Sequence, residues 1–385
     1  MGDDRRMKIL VAPDSFKGSL AADEVAGAVR GGLRRVLGDV QVTCLPLADG
    51  GEGSLEVMLR NGGRAISMNV CGSNGKKMPA RYGMFENGRA AFVEIAQACG
   101  LIHLRDEERN PLQTTSTGAG ELLSAAIDEG AKRLIVGLGG SATNDGGAGM
   151  LQALGLRCRN AAGNVIMEPL NGRTIGDVCE VETSALDDRC SGLEIIIASD
   201  VDNPLLGPEG ATQIFGPQKG ASPAMVEELE SNLASFYDVI EKAFNRGVRH
   251  LPGAGAAGGI GAALLIMPNA SRRSGFELIA EHLDLENKIK DNDIVLTGEG
   301  RLDRQSLFGK VPIGVAEICR KHDTPVVAIC GACEQGIESE LAPHFDAIEI
   351  ALSKPMTEKE AFVMAATNVS DAGVRVGQWL KLILR

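Results

Sequence analysis

The chain has 385 residues, enough for two domains or for one domain carrying a large insertion. Lys and Arg number 39 against 51 Asp and Glu, and the resulting net charge of −12 argues against nucleic acid or an anionic membrane as the main partner. Aromatics at 3% are too few for base stacking, while 44% apolar and 23% charged residues exclude a disordered or fibrous chain.

Met1 to Arg6 reads as a leader before an equally good start at Met7, and the N-terminus lacks the apolar run of about 7–15 residues that a signal peptide needs. Lys8 to Ala12 and Gln41 to Leu47 read as strands, with an amphipathic helix from Ala22 to Leu37 between them. Arg81 to Phe85 and Gly88 to Glu94 form an expected hairpin about Asn87-Gly88. Leu156 to Arg159 and Asn164 to Ile166 form another about Ala162-Gly163-Asn164. Leu134 to Leu138 and Glu194 to Ser199 are further strands, and a helix begins at Ala148. Asp293 to Thr297, Pro325 to Ile329 and Ala347 to Ala351 close the series, with helices near Ile313 to Lys321 and from Glu358 to Leu382. The longest uncharged run, between Arg249 and Arg272, is interrupted by Pro252, Pro268 and several glycines, so no membrane helix is expected.

This order predicts an α/β protein: a doubly wound parallel sheet from residues 1–66 and 288–385, interrupted by an inserted mixed α/β domain at 67–287. The nine cysteines are an odd count in a long chain and read as reduced thiols of a cytoplasmic protein; Cys330 and Cys333 spell C-x-x-C, but no second pair has zinc spacing. The five histidines are scattered, which disfavours histidine catalysis.

In open parallel sheets ligands bind beyond the carboxyl ends of the strands. Here those ends are polar: Asp14-Ser15-Phe16-Lys17, Asp49-Gly50-Gly51-Glu52, Gly139 to Gly147, Asp200-Val201-Asp202 and Glu299-Gly300-Arg301. Acids beside lysine or arginine on several such loops are what a metal-bound phosphate ester requires. The loop Gly137 to Gly149 adds glycines that admit close backbone approach, the donors Ser141, Thr143 and Asn144, and a following helix whose N-terminal amides are expected to face an anion. Gly137, Gly139 and Ala142 fit G-x-G-x-x-A and Gly253, Gly255 and Gly258 fit G-x-G-x-x-G. The first lacks a ribose-binding acid and the second lacks a firm preceding strand.

The segments KILVAPDSFKGSL at Lys8 to Leu20, PLADGGEGS at Pro46 to Ser54, GLGGSATNDGGAGM at Gly137 to Met150, ASDVDNPLLG at Ala198 to Gly207, PGAGAAGG at Pro252 to Gly259 and LTGEGRLDRQSLFGK at Leu296 to Lys310 resemble, in order, those of the bacterial glycerate kinases of glyoxylate and sugar-diacid degradation. The resemblance covers Met7 to the C-terminus. It implies a flavodoxin-like domain, an inserted second domain flanking the active cleft, and ATP-dependent phosphorylation of D-glycerate at the 2-hydroxyl.

Phosphoryl transfer chiefly needs positioning and charge neutralisation, and each need has a candidate. Asp200 is the expected base, with magnesium coordination as its competing role, and Lys17 the cation at the transferring phosphate or the glycerate carboxylate. Gly139, Gly140, Ser141, Thr143 and Asn144 are expected at the nucleotide phosphates. Asp14, Ser15, Asp49, Glu52 and Arg301 suit glycerate, and Asp202 and Glu299 suit Mg2+. A homodimer is compatible with the sequence, which does not set the oligomeric state. The alternatives are a nicotinamide-dependent dehydrogenase of a small hydroxy acid and a non-catalytic two-domain small-molecule-binding protein.

Overall fold

The structure, a computed structural model, describes residues 7–304, 306–307 and 310–383. The expected leader, Met1 to Arg6, lies outside them. Two compact units are present, one formed by the chain up to Asp49 and from Phe276 onward, the other by Gly50–Gly275.

The first unit holds a five-stranded, wholly parallel sheet in the spatial order Gln41–Cys44, Lys8–Val11, Ile294–Thr297, Val326–Cys330, Ala347–Ile350. Numbered within the unit this is 2-1-3-4-5, the flavodoxin-like order. Its strands are short and rich in Ile, Val and Leu because helices cover both faces. The helix Ala22–Leu37 turns Val25, Ala26, Val29 and Leu33 to the core at helical spacing, and Glu24 accepts from the Ala21 amide at its start. It lies so close to Ala365–Ile383 that a Cβ on Gly32 would fall 2.0 Å from the Ser370 carbonyl oxygen. The closing helix is not continuous: it breaks at Met364, leaving Glu358–Val363 and Ala365–Ile383. The break directs Phe362 to the turn at Gly18 while Val369, Ala372 and Val376 stay in the core.

The second unit is built on a six-stranded mixed sheet in the order Ala270–Arg273, Glu194–Ala198, Arg133–Gly137, Ala90–Glu94, Lys77–Phe85, Arg64–Cys71. The first four strands run parallel and the last two pair antiparallel, with Gly83 opposite Phe92 across the expected hairpin. Asn164 to Ile166 is not a strand; only Val165 bridges to Arg159. The 22-residue helix Pro223–Phe244 packs Leu229, Leu233, Phe236, Tyr237 and Ile240 inward. The unit boundaries fall at 49/50 and 275/276 rather than 66/67 and 287/288. The reason is local: Ser54–Leu59 packs on strands of the mixed sheet, and Arg64–Cys71 is its edge strand. Among the described residues no helix is long and apolar enough to cross a membrane.

Candidate functional site

In the first unit, the sheet order changes direction between Lys8–Val11 and Ile294–Thr297, and the loops leaving both strands carry the expected groups. Thr297 ties the two together by donating its hydroxyl to the Ala12 carbonyl at 2.8 Å, and the Asp14 amide donates to the Gly298 carbonyl at 2.8 Å. Asp14 accepts from the Ser15 amide at 2.6 Å. Burial, and then the neighbouring charges of Asp49 and Glu299, hold the Asp14 carboxyl well above its ordinary range. Glu299 is buried; its Oε2 lies 3.7 Å from the Lys310 ammonium, and its Oε1 has no hydrogen-bond partner among the described residues. Lys17 stands exposed on the Phe16–Leu20 turn, and exposed Arg301 lies 4.0 Å from Asp303. The structure thus brings Asp14, Asp49 and Glu299 into one electrostatic neighbourhood.

In the second unit the glycine-rich loop follows Arg133–Gly137. A Cβ on Gly139 would fall 2.4 Å from the Gly51 Cα, so Gly139 is needed for close backbone packing. Gly140 differs: its φ of 76° is left-handed and the space beside it is open to 3.6 Å. The amides of Gly139 and Gly140 have no partner among the described residues, which leaves them available to an anion.

The expected helix N-terminal anion site, however, is occupied by the protein itself. Asp145 is fully buried and accepts from the Ser116 amide (2.8 Å), the Ser116 hydroxyl (2.7 Å), the Gly147 amide (3.1 Å) and the Gly149 amide (3.3 Å). The helix Ala148–Ala153 therefore spends its first amides on an internal carboxylate. Burial pushes the Asp145 carboxyl up, and these donors oppose that shift. Asn144 donates to the Thr212 hydroxyl at 2.9 Å. Lys219, which the sequence reading passed over, is buried beneath the loop and donates to the Ser141 hydroxyl at 3.0 Å and the Thr143 carbonyl at 2.7 Å. Burial pushes its ammonium down to about 7, against the pull of Asp145. Its only sequence signal is a lone charge in the uncharged Phe215-Gly216-Pro217-Gln218 run.

Glu94, also unforeseen, ends the strand Ala90–Glu94 and accepts from the Gly53 amide at 3.1 Å and the Leu55 amide at 2.9 Å, fixing the loop that bears Glu52. Burial pushes Glu94 up to about 7, against those two amides. Exposed Glu52 has its Cβ 3.9 Å from where a Cβ on Gly140 would lie. Asp200 is half-buried just beyond Glu194–Ala198, and exposed Asp202 pairs with Arg272 at 2.6 Å. Among the described residues no three His, Cys, Asp or Glu side chains are grouped to hold a metal ion. None of the nine cysteines, all of which lie among the described residues, is joined in a disulfide.

Strand-end acids near cations and a glycine loop with available amides are the equipment of a small-molecule kinase. Comparison with known proteins gives the family. The model of the glycerate kinase family matches residues 9–381. The Glycerate 2-kinase of Escherichia coli (strain K12) is 44% identical over 380 residues, 98% of this chain and 99% of that one. The Glycerate kinase of Bacillus subtilis (strain 168) is 42% identical over 377 residues, 98% of each chain. A crystal structure from Salmonella typhimurium LT2, described as a glycerate kinase 2, aligns with a TM-score of 0.82 at 44% identity over 98% of this chain and 99% of that one. The chain belongs to the glycerate kinase family, whose members are kinases.

Proposed function

We propose that this enzyme transfers the γ-phosphoryl group of ATP to the 2-hydroxyl of D-glycerate in the cytoplasm. The observation that carries the reading is the near end-to-end similarity to a protein named Glycerate 2-kinase, supported by the available amides of Gly139 and Gly140. In this reading Gly139, Gly140, Ser141, Thr143 and Asn144 bind the nucleotide phosphates. Lys17 neutralises charge on the transferring group. Asp14, Ser15, Asp49 and Glu52 orient the hydroxyls of glycerate, and Arg301 pairs with its carboxylate. Asp200 accepts the proton from the attacking hydroxyl.

Magnesium, when bound, lowers the charge on the phosphate oxygens. The buried, unpartnered Oε1 of Glu299 fits a ligand or water-mediated ligand, and magnesium usually takes only one or two carboxylates alongside phosphate oxygens. Asp202 is the second acid for this role, through the carboxylate that also meets Arg272.

Phosphorus NMR of the product tests the reaction. With magnesium, ATP and D-glycerate, 2-phosphoglycerate and ADP should accumulate together. A 3-phosphoglycerate signal would overturn the position of attack, and absence of glycerate-dependent ADP would overturn the activity.

A further inference from the structure

Among the described residues Lys219 is the one lysine or arginine that is buried, at 2% exposure. It ends the turn Pro217–Lys219, and the chain then reverses at Gly220, where a Cβ would fall 2.5 Å from the Arg109 carbonyl oxygen. The lysine is thereby fixed from its own backbone. Among the described residues its ammonium donates to two loop atoms, the Ser141 hydroxyl and the Thr143 carbonyl. Asp145 attracts it, yet that carboxylate already receives four hydrogen bonds from Ser116, Gly147 and Gly149. A neutral donor would satisfy the same two loop acceptors without the large cost of burying an ammonium. An anion met by the loop would stabilise the charged form that burial disfavours, a task the loop's own hydrogen bonding does not require of a lysine.

We propose that Lys219 is a positioning residue for the nucleotide phosphates: it pins Ser141 and Thr143 from beneath, keeps the Gly139 and Gly140 amides in place, and sets a positive charge behind them when phosphate is bound. The inference rests on the assignment of this loop to ATP. No direct contact with phosphate is required of Lys219. It acts through the two residues it holds and through its field in a water-poor site.

The test compares binding of ATP, ADP and AMP by calorimetry in the full-length parent, Lys219→Gln and Gly140→Val, together with KM for ATP and for glycerate. Lys219→Gln should weaken ATP about 10-fold, ADP less and AMP hardly at all. KM for ATP should rise while KM for glycerate stays within about 2-fold. A loss equal for all three nucleotides would make Lys219 merely structural and overturn the proposal. ATP affinity unchanged in Lys219→Gln but weakened in Gly140→Val would overturn the role of Lys219 alone. Unchanged affinity in both would remove the loop assignment, and the proposal with it. Should Lys219→Gln lose its cooperative melting transition, Ser141→Ala carries the test: it keeps the lysine but removes one acceptor, and should weaken ATP about 3-fold with AMP unaffected. No change there would overturn the proposal.

Discussion

Asp145 and Asp14 are both aspartates that follow parallel strands and that burial pushes above the ordinary carboxylate range, yet their neighbours are opposite in kind. Asp145 is enclosed and receives four hydrogen bonds, whereas Asp14 is half-buried, receives the Ser15 amide and faces the charges of Asp49 and Glu299. A carboxylate met by donors is satisfied and serves the shape of its loop. One met by other carboxylates is left with an electrostatic demand that an incoming cation or hydroxyl can answer. Neighbours, more than residue type, separate the structural acid from the one available to a ligand.

Asp145→Ala offers the strongest way to break this contrast. It leaves the Ser116, Gly147 and Gly149 donors unpaired in the interior and should cost about 3–5 kcal/mol in urea unfolding. Asp14→Asn, which relieves repulsion, should cost less than about 0.5 kcal/mol. Equal losses would erase the distinction. Next in size is Asp200→Asn, expected to lower kcat roughly 100-fold or more with ATP affinity unchanged. Turnover within a few-fold of the parent would remove Asp200 from the chemistry. Glu299→Gln should raise the magnesium requirement about 10-fold, whereas Asp202→Asn, already paired with Arg272, should raise it no more than about 2-fold. The reverse order, read from magnesium titrations of initial rate, would make Asp202 the metal's acid.

Glu94 supplies a pH-dependent test. Its carboxyl rises from an ordinary value of 4.5 to about 7 in the folded chain, so between those values the native state holds a proton that the unfolded state has released. Its stabilising contribution is full below pH 4.5 and is lost as pH rises through about 7. At most about 3 kcal/mol is involved. Glu94→Gln should flatten that part of the urea-midpoint profile, and an unaltered slope would assign the titration to another group.

Much of the fold is legible in the sequence. The helix Ala22–Leu37 has both its helical spacing and its terminal charges in the sequence, and the parallel strands are compact Ile/Val runs. The edge strand Ala270–Arg273 escaped because Ala-Ser-Arg-Arg has no apolar alternation; it is a strand by virtue of pairing with Ile195 to Ala198. Arg64–Cys71 does alternate through Ile66, Met68 and Val70, and the helix Pro223–Phe244 follows a Ser-Pro start, so those signals were present and were passed over. The glycine loop was located correctly as a loop, but sequence cannot tell which amides an internal Asp consumes. That depends on Ser116, brought to Asp145 from 29 residues away. For the same reason the buried Lys219, 78 residues from Ser141, shows in the sequence only as a lone charge.

The pairing of Lys8–Val11 with Ile294–Thr297 has a consequence for the ribosome. The Lys8 amide is held by Asp293, 285 positions later, so the first two strands of the sheet emerge long before their central partner exists. About 250 residues separate the end of Gln41–Cys44 from Ile294, and at roughly 5–20 residues per second the wait is some 12–50 s. The contiguous Gly50–Gly275 unit can finish in that interval, while an apolar strand edge on the nascent chain stays unmatched. Newly made chains are thus most open to chaperones, proteases and mutual aggregation before residue 294 is translated, a hazard of synthesis order that the finished enzyme no longer carries.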